Sequence, residues 1–294
     1  MLRKVFGAMV AAVCLVAPLV VQAQEDYLDV YIAQVKPEKA ADFDSLAKKM
    51  AAANHKYNGD RWLAMETVYG ENNVVAFIST RADYAGIDKG MDAFMGALTK
   101  AYGKETTDKM LHEWDTCLAG SRSELRRRRW DLSRKAPGDA ASYAKFIGDS
   151  RVLRTTAVHV RPGHTDDFEA LLKEVKAAGE NNANTQPVLV SQVVEGGKGT
   201  VFYITGLRSS LGGFDKNPTM KEVLGEEGYK KFQQAAAETV ERTESMIFRF
   251  SPELSNPSEE VVATAPDYWR PKPVVAKTKP KATSVEPAAE KQKQ

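Results

Sequence analysis

Five consecutive residues invite chemistry before any others: Arg126-Arg127-Arg128-Arg129-Trp130. Guanidiniums are permanently charged forks that match carboxylates and phosphates, and an indole supplies a flat wall. On a strand, side chains alternate between faces, so Arg126, Arg128 and Trp130 share one side and Arg127 and Arg129 the other. Read as a site, the first set is a pocket for an anionic, partly aromatic ligand, held by Arg126 and Arg128 with Trp130 as a wall. Read as surface, the run is an exposed strand end whose arginines pair with acids and cover apolar surface with their stems. A charge run of this length is usually solvated, which favours the second reading. A later stretch, Met246-Ile247-Phe248-Arg249-Phe250, matches the run when Trp130 is set against Phe250. Arg126 then falls opposite Met246 and Arg128 opposite Phe248, so one copy is apolar where the other is cationic.

The other reactive types are sparse. The histidines are His55, His112, His159 and His164, and none forms a metal-ligand spacing. No metal site is expected. His159 lies on a predicted strand with Leu153, Thr155 and Ala157 on its face. There it would serve as a general base or a haem ligand, or as an ordinary hydrogen-bonded strand-end residue. His55, near a helix end, is a weaker candidate for the same roles. Haem is left open as a cofactor; nothing in the sequence requires one. Cys117, at the end of a helix, reads as a core thiol. Glycine-rich phosphate loops, dinucleotide fingerprints and nucleophile elbows are absent, and Gly196-Gly197-Lys198-Gly199 reads as a hairpin turn.

The elements that must position these residues come in two copies. Val35-Lys36-Pro37-Glu38-Lys39-Ala40-Ala41-Asp42-Phe43 returns as Val160-Arg161-Pro162-Gly163-His164-Thr165-Asp166-Asp167-Phe168. Each copy leaves an apolar strand, turns at proline and enters an amphipathic helix. Period-two runs predict strands from Tyr27, over Trp62–Tyr69, Val74–Ser79 and Arg122–Leu132, and again over Leu153–Val160, Pro187–Val194, Thr200–Thr205 and Glu244–Phe250. Helical spacing predicts a first helix after each proline. A second helix follows over Thr106–Ala119 in one copy and Tyr229–Thr243 in the other. The order is β-α-β-β-α-β twice, the ferredoxin-like split motif, with both helices on one face of an antiparallel sheet. The uncovered faces need partners, so the two sheets are expected to pack on each other. The fold class is therefore α+β. The units span 24–133 and 151–256, joined by a connector over 134–150.

The ends read differently. Residues 1–23 have a basic start at Arg3 and Lys4, an apolar middle and a small-residue site at Val21-Gln22-Ala23, the pattern of a secretory signal. Export to the periplasm or the extracellular space is expected. Cleavage removes Cys14 and, with it, any internal disulfide; no membrane-spanning run then remains. Residues 257–294 are rich in proline, lysine and alanine and read as a disordered tail. The tail either solubilises the protein or touches the cell envelope as a basic arm. A formal charge of +2 does not point to nucleic acid.

The repeated β-α-β-β-α-β order and the strand–proline–acidic–aromatic helix entry resemble the dimeric α/β-barrel superfamily over roughly residues 26–255. That group includes antibiotic-biosynthesis-type monooxygenases, NIPSNAP-like proteins and chlorite-dismutase relatives. The resemblance implies two ferredoxin-like units forming an intramolecular α/β barrel, and leaves homo-oligomers open. It also implies a choice among small-molecule binding, cofactor-independent oxygenation and haem chemistry, since fold does not carry activity. Three functions are carried forward. The first is binding of a small apolar or anionic molecule in the cleft between a sheet and its helices. The second is a monooxygenase-type enzyme using His159 or His55. The third is an envelope protein acting through its tail.

Overall fold

Alternation of apolar and polar residues along the strands decides what faces inward. Leu28, Val30 and Ile32 of β1 (Tyr27–Val35) point to one side, and Ala33 and Val35 take part in a separate core on the other. The computed structural model describes residues 27–271. The expected signal at 1–23 lies outside the described residues.

The first unit contains β1, α1 (Ala40–Lys56), β2 (Leu63–Tyr69), β3 (Val74–Arg81), α2 (Ala85–Tyr102), α3 (Lys104–Cys117) and β4 (Leu118–Arg128). After a connector that forms α4 (Ala140–Gly148) come β5 (Val152–Val160), α5 (Thr165–Glu180), β6 (Leu189–Glu195), β7 (Thr200–Arg208), α6 (Met220–Thr239) and β8 (Val240–Phe250). Within each unit the strand order is that of the split motif, β4-β1-β3-β2 and β8-β5-β7-β6. The edges then find each other. β4 pairs with β6 and β8 with β2, all antiparallel, and the eight strands close into one barrel. Closure satisfies the backbone groups that two separate sheets would leave bare at their edges. The expected α/β barrel of two ferredoxin-like units is the observed architecture.

Helices cover the outside. Phe43, Leu46, Leu98 and Met110 pack the α1–α3 layer onto the first sheet, and Phe168, Leu171 and Phe202 hold α5 and α6 on the second. The second helical segment breaks at the same place in both copies. Gly103 separates α2 from α3 with φ 78°, and Gly225 kinks α6 with φ 71°, a backbone region that glycine enters without steric cost.

Three sequence expectations need correction. The fourth strand of unit one ends at Arg128 rather than Leu132, so Trp130 sits in a turn. Residues 257–271, expected to begin a disordered tail, are ordered: they form α7 (Glu259–Thr264) and α8 (Pro266–Trp269). Val261, Val262 and Trp269 are buried with Ala144 and Ile147 of α4 against Leu153 and Phe250, plugging one end of the barrel. Trp269 Nε1 donates to Gly148 O at 2.9 Å, and Tyr268 Oη donates to Phe250 O at 3.0 Å. Burying Trp269 and half-burying Tyr268 offsets the ordering entropy that the prolines suggested would win. The rest of the expected tail, from 272, lies outside the described residues.

Third, the match between the last strands shifts. Leu28 pairs with Arg126, and its repeat equivalent Leu153 pairs with Phe248. Arg126 therefore corresponds to Phe248, Arg128 to Phe250 and Glu124 to Met246. Matching Trp130 to Phe250 slipped the register by two residues. A two-residue slip preserves the face, so the contrast between an apolar and a cationic copy survives it.

Candidate functional site

The barrel interior holds a cavity of about 110 Å³, lined by Leu28, Val30, Met65, Ile78 and Phe248 among others. It lies between the two sheets. The expected location between a sheet and its helices is wrong, because those layers are filled by the packed cores of α1–α3 and α5–α6. Exposed Glu71 and Arg122 also line the cavity, at the barrel end opposite the α4–α8 plug.

β4 supplies the polar wall. Its inward positions are Arg122, Glu124, Arg126 and Arg128, running from the mouth to the plugged floor. Arg126 and Arg128 are only 8% and 7% exposed. Arg126 Nη2 lies 2.6 Å from Glu124 Oε2, and its guanidinium sits 3.4 Å from the centre of the Tyr203 ring. Arg122 Nε lies 3.1 Å from Glu124 Oε1, and Tyr203 Oη donates to the same oxygen at 3.3 Å. Burial works against charge on Glu124, but Arg126 and Arg122 outweigh it and hold its carboxyl below the usual range. Burial raises the Tyr203 hydroxyl. Thr155 of β5 and Thr205 of β7 share a 2.8 Å hydroxyl contact on the cavity wall.

Arg128, one step deeper, is placed differently. It donates to the Tyr143 hydroxyl, and its guanidinium stands 4.7 Å from the Tyr143 ring and 5.3 Å from that of Trp130. No carboxylate among the described residues comes within ion-pair distance of it. Trp130 packs edge-to-face on Tyr143, centroids 6.1 Å apart. It covers the barrel end instead of lining the cavity, so its role as a pocket wall is indirect.

The arginine run satisfies both readings, one on each face. Arg126 and Arg128 enter the barrel, against the expectation of a solvated strand end. Outward-facing Arg127 is exposed, and Arg129 pairs with Asp131 at 2.7 Å and with Glu169. Parity decided the outcome, because beyond the mouth the inner face of a closed barrel is screened from water, as Arg126 and Arg128 are and Arg122 is not.

The histidine candidates are not brought to the cavity. His159 lies at the rim, two residues beyond Ala157, with Nε2 3.5 Å from Glu244 Oε1. His55 is exposed on the last turn of α1, outside the barrel, 3.4 Å from Arg270 Nη2. Burial and the adjacent Arg270 lower its pKa. Haem does not fit this interior: no histidine lines it, and a space of about 110 Å³ is below the usual range for cofactor pockets of about 300–1,000 Å³. Among the described residues, no group of three His, Cys, Asp or Glu side chains could hold a metal. No helix among them is long and apolar enough to cross a membrane.

Glu124, Tyr143 and Tyr203 were missed as site residues. The strand alternation that flagged Arg126 also includes Glu124. Tyr143 and Tyr203 become relevant only once the connector and the second sheet close on the first.

No protein-family model matches the sequence, and no curated protein matches it. Solved structures do. An anthrone oxidase-like protein superposes with a TM-score of 0.50 at 11% identity, covering 78% of this chain and 92% of its own. A mutant chlorite dismutase from Candidatus Nitrospira defluvii gives a TM-score of 0.45 at 10% identity, covering 82% of this chain and 97% of its own. At such identities the likeness is one of fold, an α/β barrel closed by eight antiparallel strands.

Proposed function

We propose that the barrel binds a small carboxylic acid with an apolar body, and that Arg128 receives its carboxylate. The observation that supports this is Arg128 itself, a buried cation at the floor of an apolar cavity with no acid beside it. A buried charge without a counter-ion is costly, and an incoming anion removes that cost. The volume sets the size class. An enclosed apolar cavity of about 150 Å³ accepts benzene, so this one, at about 110 Å³ and open at the Glu71–Arg122 mouth, takes at most a single ring or a short chain.

Benzoate is the probe of choice, with benzyl alcohol as its uncharged counterpart. Arg128→Ala should weaken benzoate binding by about 10- to 100-fold, the worth of a charge-assisted hydrogen bond of about 1.5–3 kcal/mol. The alcohol should be affected much less. Equal loss for both, measured by calorimetric titration, would sink the assignment.

The leader pattern at 1–23 motivates placing this binding outside the cytoplasm. Native mass spectrometry of protein isolated from its own cells reads both points at once. The expected spectrum shows a chain beginning at Gln24 and carrying a small acidic adduct. A chain retaining the leader would count against export.

Oxygenation is the second reading, favoured by a shared fold with an anthrone oxidase-like protein. His159 and His55 are not placed to serve it. A proton acceptor would have to come from Glu124, already held by two arginines and a tyrosine. Oxygen uptake with a one-ring phenol, abolished by Glu124→Gln in folded protein, would favour catalysis over binding.

A further inference from the structure

The outer face of unit two carries a second cationic feature, separate from the barrel cavity. It is legible by comparing the repeats through their strand registers. Arg81 pairs with Tyr27 at the end of β3, and Arg208 pairs with Val152 at the end of β7, so the two arginines are equivalent. Two positions along, Asp29 corresponds to Arg154. Leu63 pairs with Ile78 and Leu189 with Thr205, so three residues earlier Asp60 corresponds to Gln186.

In unit one acids serve both terminal nitrogens of the arginine, and only its Nε is buried without a hydrogen-bond partner, as it is in unit two. Arg81 Nη1 and Nη2 donate to the two Asp60 carboxylate oxygens at 2.8 and 2.7 Å, and Nη2 lies 3.2 Å from Asp29 Oδ2. In unit two both acids are gone, one replaced by an amide and the other by a second positive charge. Arg208, 9% exposed, has only neutral oxygens: Leu207 O at 2.5 Å, Pro187 O at 3.5 Å and Asn217 Oδ1 at 2.8 Å. Its Nε is buried with no hydrogen-bond partner.

Two more guanidiniums converge there. Arg154 and Arg208 stand on the same ring, 5.3 and 5.5 Å from the centre of Phe214. Arg134 bridges to Val188, donates to Gln186 O at 3.3 Å beside the Pro187 carbonyl that Arg208 approaches, and also has a buried, unpartnered Nε. Its stem is accommodated by a glycine: a Cβ at Gly179 would meet Arg134 Cδ at 2.1 Å. The nearby acid, Glu180, is engaged by the Lys135 amide at 2.7 Å. Burial depresses Arg208, and Arg154 and Arg134 depress it further, whereas the acids around Arg81 raise that group despite its burial.

We propose that Arg134, Arg154 and Arg208, with Phe214 beside them, form a binding site for a phosphate group. Glu180 is the one acid whose charge is felt there, at Arg134, and no carboxylate among the described residues is in ion-pair contact with any of the three arginines; such a cluster calls for a multiply charged oxyanion, and the planar forks suit its several oxygens. Exposed Arg154 leaves the cluster open to solvent. The phosphate belongs either to a small soluble molecule or to a lipid headgroup.

The test uses the whole protein. Its Tm in inorganic phosphate is compared with its Tm in chloride at matched ionic strength. Phosphate should raise the wild-type Tm by several degrees. Arg154→Asp combined with Gln186→Asp restores the acids of unit one; it should abolish the phosphate response and raise the Tm in chloride. Arg154→Ala, a change at an exposed side chain, should shrink the response while the chloride Tm holds, and it stands in if the double variant does not fold. A wild-type Tm indifferent to phosphate, or variants that keep the full response, would overturn the site. Sedimentation with phosphatidylcholine vesicles, with and without phosphatidic acid, separates the two sources. Pelleting that needs both phosphatidic acid and Arg154 assigns a headgroup; a phosphate response without pelleting assigns a soluble ligand.

Discussion

β4 and β8 occupy equivalent places in their units, each between its own first strand and the partner sheet, yet their inner faces share almost nothing. β8 turns Met246, Phe248 and Phe250 into the barrel; β4 turns Glu124, Arg126 and Arg128. The fold accepts both. What a barrel strand must supply is the correct parity and side chains of suitable bulk, and a guanidinium stacked on Tyr203 occupies space much as a phenyl ring does. The contrast also separates two duties. The β8 side closes the core, with Phe250 against Trp269 at 5.5 Å between ring centres. The β4 side pays for its charges with a local network and leaves one of them, Arg128, without an acid.

The comparison breaks most sharply at Glu124. Glu124→Gln leaves Arg126 buried beside a neutral amide, and removing one partner of a buried pair costs about 3–5 kcal/mol. Urea unfolding should report a loss of that order, against a small change for Met246→Leu at the equivalent β8 position. The pH dependence has a definite sign. The folded-state pKa of Glu124 lies below its ordinary value of 4.5, so its contribution is present above that value and is lost as pH falls through the folded one. The wild type should therefore lose stability on acidification below about pH 4.5, and the variant should show a flatter acid limb. Identical acid limbs would mean that Glu124 is not the charged centre of the network.

Making β4 resemble β8 sharpens the contrast from the other side. Glu124→Met, Arg126→Phe and Arg128→Phe, with Tyr203→Phe to remove the orphaned hydroxyl, replace the network by apolar bulk. Such exchanges are commonly neutral or stabilising by about 1–4 kcal/mol. The expected result is a barrel at least as stable as the wild type that no longer takes up benzoate. A large loss of stability would show that the charges hold the barrel together rather than serve a ligand.

Much of the molecule was legible in the sequence because parity and repetition are local properties. Proline followed by an acidic, aromatic helix start marked both unit openings, and alternation placed Arg126 and Arg128 on one face. Other features depend on what the chain does at long range. The register of the last strands is set by pairing with β1 and β5, not by matching aromatic residues, hence the two-residue slip. The plug formed by Tyr268 and Trp269 sits among prolines, and only its docking on Gly148 and Phe250 rewards ordering it. Burial of the inner arginines follows from barrel closure, which no single strand reveals.

The smallest expected effect concerns His159, one of the two histidines that the sequence offered as catalytic candidates. Its side chain is largely covered, but Glu244, its partner at 3.5 Å, is 55% exposed, so the contact belongs to the rim. A solvent-facing polar contact of this kind contributes at most about 0–1 kcal/mol. His159→Gln keeps a polar group in place and should shift unfolding by no more than that, with benzoate affinity unchanged. If it instead removed binding or oxygen uptake while the protein remained folded, the rim would be part of the site. The functional centre would then move from the arginine wall of β4 towards the mouth between β5 and β8, the half that otherwise looks purely structural.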